Sequence, residues 1–108
     1  MPNVTFYIRA EHMPPDEHLA GLSSDCVELC TDVLDADLKN VHVIYVAVRQ
    51  GYGHPVFAEI QYRLTAFRTP EVMNRFMDDL DLVIARRTGL TSRIRCFGYA
   101  AATIYARN

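Results

Sequence analysis

The sequence predicts an α+β fold of two β-α-β units in tandem, forming a four-stranded mixed sheet with both helices on one face. Three observations point there. Four short runs are rich in β-branched and aromatic residues, and two longer stretches repeat apolar residues at helical spacing. The second half repeats the order of the first at an offset of about 53, matching Pro2 to Pro55, Pro15 to Pro70 and Val41 to Ile94. A strand-helix-strand connection leaves its two strands parallel, joined by a right-handed crossover.

Val4 to Ile8 reads as the first strand. Pro14-Pro15-Asp16-Glu17 opens a helix, with proline tolerated in the first turn and acids favourable at the positive end of the dipole. Leu19, Leu22, Cys26, Leu29, Cys30, Val33 and Leu34 form its apolar stripe. Asp35 to Asn40 breaks the pattern, Val41 to Val48 is the strongest strand, and Gln50 to Pro55 is a turn or loop. Val56 to Leu64 reads as the third strand, with Ala58, Ile60, Tyr62 and Leu64 on one face. Thr69 caps a second helix that has Pro70 at its first position and Glu71 in its first turn. Its stripe is Met73, Phe76, Met77, Leu80, Val83 and Ile84, and Gly89 ends it. Ile94 to Tyr99 is the fourth strand, and Ala102 to Tyr105 is expected to add a short final one.

At 108 residues and 12.3 kDa, one domain over residues 1–108 is expected, with pseudo-repeats at about 2–54 and 55–108. Hydrophobic residues make up 50% and charged residues 22%, the profile of a packed globular chain. A net charge of −2 disfavours a nucleic-acid partner, and no apolar run reaches the ~20 residues a membrane span requires. The N-terminus lacks the basic and apolar regions of a signal peptide, so a cytoplasmic protein is expected. Three cysteines, an odd number, read as reduced and mostly buried thiols.

The strand Val41 to Val48 is apolar on both faces: Val41, Val43 and Tyr45 point one way, Ile44, Val46 and Val48 the other. Two helices cover only one face of the sheet, and soluble monomers rarely leave such a patch wet. A homo-oligomer is therefore expected.

The common chemical motifs are missing. Gly51-Tyr52-Gly53 precedes no helix and reads as a turn, Ser23 and Ser24 lack a nucleophile elbow, and the four histidines show no zinc spacing. What remains is Pro2. Removal of Met1 before a small residue would leave a secondary amine at the start of a strand. An α-amino group has an ordinary pKa of about 7.7–8.0, and apolar or cationic surroundings lower it toward the range of a general base at neutral pH.

Met1-Pro2-Asn3-Val4, the strand Asn40 to Ile44, Pro55 to Leu64 and the tail from Arg93 to Asn108, within the duplicated unit, resemble the tautomerase superfamily. That family includes 4-oxalocrotonate tautomerase, 5-carboxymethyl-2-hydroxymuconate isomerase and macrophage migration inhibitory factor. The resemblance spans essentially the whole chain. It implies a trimer of two-unit chains, needing no cofactor and no metal, in which Pro2 acts as general base or acid on a small carboxylate. Two arginines that hold carboxylates in the small muconate tautomerases are His12 and His42 here, and a family lysine falls at Ala36. Leu64 matches an apolar wall residue. A tyrosine and an asparagine given by a neighbouring subunit correspond to Arg95 and Phe97. Arg95 of a neighbouring chain, helped by His42 or Arg63, is then the candidate carboxylate holder, with the fork geometry that suits a carboxylate, and Leu64 and Phe97 would keep the pocket dry. Glu59 and Glu11 are candidates for the carboxylate with which dehalogenases and hydratases of the family activate water. The expected function is thus a keto–enol tautomerase or isomerase of an unsaturated 2-oxo or 2-hydroxy acid. The alternative is a non-catalytic, ferredoxin-like ligand-binding or interaction module, which shares the two-unit pattern and makes no use of a free Pro2.

Overall fold

The structure, a computed structural model, describes residues 1–108. Its elements are β1 (Asn3–Arg9), α1 (Asp16–Asp32), β2 (His42–Val48), β3 (Val56–Arg63), α2 (Pro70–Thr88) and β4 (Ser92–Tyr99). Single 3₁₀ turns follow β1 (Ala10–His12), precede β2 (Leu38–Asn40) and follow β4 (Ala101–Thr103). The sheet order is β2-β1-β3-β4. β1 pairs parallel with β2 and β3 parallel with β4, while β1 and β3 run antiparallel at the centre. This is the mixed sheet expected from the repeat.

Alternation along β1 and β3 explains why they take the centre. Val4, Phe6 and Ile8 of β1, and Val56, Ala58, Ile60 and Tyr62 of β3, are buried beneath the helices. Their alternate residues line the opposite, bare face. From α1 the core receives Leu22, Cys26 and Cys30, and from α2 Met73, Phe76, Leu80, Val83 and Ile84. The α2 boundaries follow the sequence signals. The Thr69 hydroxyl accepts the Val72 N–H at 3.3 Å, and Gly89 closes the helix at φ 70°, a conformation costly for any residue with a Cβ. α1 starts without a side-chain cap, on the extended backbone of Pro15.

β2 confirms the two-faced reading. Val43 and Tyr45 pack on the core, the Tyr45 ring stacked on Phe6 at 5.3 Å. The Tyr45 hydroxyl donates to the Leu19 carbonyl at 3.1 Å and bonds the Ser23 hydroxyl at 2.8 Å, which gives Ser23 a structural task. Ile44 points to the bare face and is 53% exposed. One expectation fails. Ala102 to Tyr105 is not a strand but a 3₁₀ turn, Ala101–Thr103, followed by irregular chain. The reason is local and topological: alanines favour strands weakly, and nothing in the chain lies beyond β4 to complete a ladder.

Candidate active site

Pro2 does not fray. The pairing Asn3↔Gln61 sets Pro2 beside Tyr62 when continued by one residue, and Asn3↔His42 sets it beside β2. The His42 backbone N–H donates to the Pro2 carbonyl at 3.2 Å. Pro2 is fully buried, flanked by a strand on each side, and the buried Leu34 follows α1. A chain start gripped in this way has a defined position and not an ensemble of them.

The charges here have one sign. The terminal amine, carried by Met1, is held below its ordinary value by partial burial first, then by Arg63 and then by Arg68. Each effect disfavours the protonated form. Arg68 is itself fastened: its Nε donates to the Leu34 carbonyl at 3.0 Å and one terminal nitrogen to the Arg63 carbonyl at 2.8 Å. It thereby ties the segment after α1 to the end of β3, with N–H groups to spare for an anion. Leu64 stands beside it, half-exposed, its N–H donating to the Tyr99 carbonyl at 2.9 Å.

Of the residues singled out from the sequence, Pro2, Arg63 and Leu64 gather at this end of the sheet. His42 touches Pro2 through its backbone, while its exposed side chain belongs to the bare face. Arg95 and Phe97 stand apart within the chain. Arg95 is opposite Glu59 on the bare face, and its guanidinium donates to the Ile94 carbonyl at 2.8 Å. Two strand spacings and three residues separate it from Pro2, roughly 14 Å. His12 and Glu11 lie in the turn beyond the far end of β1. Arg68 escaped the sequence reading because a lone arginine ahead of a helix cap carries no periodic signal.

A groove of about 560 Å³ opens at the opposite end, where Tyr7, Val48, Tyr52, Pro55, Phe57 and Arg93 contribute to its lining. The Tyr7 and Phe57 rings stack at 5.9 Å, and the Arg93 guanidinium sits 6.0 Å over Phe57. None of the three cysteines is in a disulfide: Cys26 and Cys30 are buried, and burial pushes the Cys96 thiol up to about 11. No three His, Cys, Asp or Glu side chains converge as a metal site. No helix is long and apolar enough to cross a membrane.

No family model and no curated protein matches the sequence. Solved structures do match its shape. Macrophage migration inhibitory factor of Toxoplasma gondii superposes with a TM-score of 0.77 at 14% identity, covering 97% of this chain and 96% of that one. A fused 4-OT, solved as an asymmetric trimer, gives 0.78 at 17% identity, with 97% and 92% covered. The chain shares the fold of these two proteins. Malonate semialdehyde decarboxylase, solved also with its proline at position 1 replaced by alanine, gives 0.74 at 13% identity over 99% of this chain and 92% of that one. That shared fold accounts for nearly the whole length of this chain.

Proposed function

We propose that the chain is a cofactor-free tautomerase or isomerase of a small unsaturated 2-oxo or 2-hydroxy carboxylic acid, with the Pro2 nitrogen, freed of Met1, as its general base and acid. The observation that carries this is the setting of the chain start: Pro2 is buried between two strands, and one residue before it burial, Arg63 and Arg68 disfavour the protonated form of the Met1 amine, surroundings that a freed Pro2 nitrogen would inherit. In ketonisation the Pro2 nitrogen takes the proton of the enol hydroxyl. The O–H pair becomes the second C=O bond, the C=C pair moves to carbon, and Pro2 returns the proton there. Arg68 and Arg63 hold the carboxylate and offset the charge developing on oxygen. Leu64 keeps water away from the amine.

The working unit is a homotrimer. The bare sheet face and the open edges of β2 and β4 leave Ile44, Phe97 and Tyr99 exposed, a surface that suits burial against other copies. A cyclic trimer uses two different patches of each chain, and β2 and β4 are two different edges. A neighbour's β4 laid along this β2 would set its Arg95 and Phe97 on the far side of β2, two strand spacings from Pro2, from where the long Arg95 side chain can extend toward the site. The trimeric 4-OT relative supports the assembly.

Intact mass and a ketonisation assay test the reading together. The mature protein should begin at Pro2 and turn over phenylenolpyruvate or 2-hydroxymuconate, and Pro2→Ala should lower kcat/KM by about 10²-fold or more. Equal rates in wild type and variant, or a retained Met1, would leave the binding-module alternative standing.

A further inference from the structure

Tyr62, at the end of β3, buries its ring and leaves its hydroxyl open. It is only 9% exposed, yet its hydroxyl has no hydrogen-bond partner in the protein, and no buried polar side-chain atom lacks a partner. The ring is therefore sunk in the core while the hydroxyl itself reaches solvent. A hydroxyl open to solvent on a ring immobilised by burial can exchange its water partner for a polar group of a ligand at little cost in conformational freedom.

Its position is set by Gly98. Tyr62 and Gly98 face each other across β3 and β4. A Cβ placed on Gly98 would lie 2.9 Å from the Tyr62 hydroxyl, 2.9 Å from Cζ and 2.6 Å from Cδ2 of Leu64. Such distances are far inside van der Waals contact, so only glycine lets the Tyr62 ring tip and the Leu64 side chain converge over β4. Leu64 is the apolar wall of the proposed site, and Pro2 is next to Tyr62 on the other side of β3. The hydroxyl thus lies across β3 from the reacting nitrogen, beside the wall that a substrate touches.

We propose that Tyr62 is a specificity residue of the Pro2 site. Its hydroxyl hydrogen-bonds the end of the substrate remote from the proline, selecting an acid that carries a second polar group, such as a dicarboxylate, over one that ends in hydrocarbon. This rests on the assignment of Pro2 as the reacting group. Arg63 and Arg68 hold the near carboxylate, Tyr62 reads the far end, and Gly98 keeps the space in which it does so.

Tyr62→Phe tests this while retaining the ring. The ratio of kcat/KM for 2-hydroxymuconate to that for phenylenolpyruvate should fall about tenfold or more, as expected for loss of one hydrogen bond to a charged group. Calorimetric titration with muconate and benzoate, neither of which tautomerises, provides a readout independent of turnover, and the muconate-to-benzoate affinity ratio should fall similarly. Gly98→Ala, which displaces the hydroxyl without removing it, should lower the same ratios. An unchanged ratio in Tyr62→Phe, or wild-type protein that does not prefer muconate to benzoate, overturns the proposal. Wild-type protein that binds muconate preferentially but turns over neither enol overturns the catalytic reading of Pro2 and leaves the role of Tyr62 in binding intact.

Discussion

Pro2 and Pro55 hold equivalent places in the two halves of this protein. Each precedes a central strand, and each offers its carbonyl to a backbone N–H, that of His42 at 3.2 Å for Pro2 and of Arg9 at 3.0 Å for Pro55. Cationic side chains stand near both, Arg63 and Arg68 at one end and Arg93 at the other. Pro55 even borders a groove of about 560 Å³. The difference is connectivity. The Pro55 nitrogen lies within the chain, its lone pair delocalised into an amide and its valence filled. Only the Pro2 nitrogen can be released as an amine. A duplicated fold presents two similar ends, and only at one of them would removal of a single residue leave a proline amine.

The largest expected effect breaks that equivalence outright. Pro55→Ala should leave kcat/KM within about twofold of wild type, against the ~10²-fold loss in Pro2→Ala. Comparable losses in the two variants would mean that the groove end participates in the reaction. Next comes assembly. Ile44→Asp combined with Phe97→Asp places charge on both sides of the proposed contact. The variant should sediment as a monomer and lose most activity, because Arg95 then no longer approaches a neighbour's Pro2. A trimer that persists would move the interface elsewhere.

A smaller effect sharpens the electrostatic contrast. The charge of Arg68 disfavours the protonated amine, so Arg68→Gln should raise the amine pKa. The ascending limb of the kcat/KM–pH profile then moves to higher pH, with a severalfold loss near pH 6.5 that narrows in alkali. A limb that stays in place would mean that Arg68 does not set the titration of the amine. The smallest effect belongs to neither end. Asp25 of α1 accepts from Arg87 at 2.7 Å and from Arg86 at 3.1 Å, and these bonds hold its carboxyl below the usual carboxylate range. A depressed folded-state pKa gives stability that is complete above the unfolded value near 4 and fades as pH falls through the folded one. Asp25→Ala should lower the thermal midpoint by a few degrees at neutral pH, and the gap should shrink on acidification.

Several features were legible in the chain before any folding. Thr69, Pro70 and Gly89 mark the ends of α2 because caps and breakers act through their own backbone and nearest neighbours. The two-faced β2 and the repeat of Pro2 in Pro55 are patterns of spacing, and spacing survives any fold. Arg68 was not legible. Its meaning depends on α1 returning to the Pro2 end, which places the Leu34 carbonyl within its reach. Nor was Gly98, whose lack of a side chain matters only because Tyr62 and Leu64 arrive from the neighbouring strand.

The sequence by itself determined the order and type of the two helices and four strands and the layering that follows from them, and it singled out Pro2 as the candidate amine, since these rest on local backbone preference and covalent order. Only the tertiary structure decided what surrounds that nitrogen. It set Arg63 and Arg68 beside Pro2, held Arg95 two strands away, left the Tyr62 hydroxyl free on a buried ring, and denied the tail a strand. Each of these depends on distances between residues far apart in the chain, which burial and strand pairing fix together and no short stretch of sequence encodes.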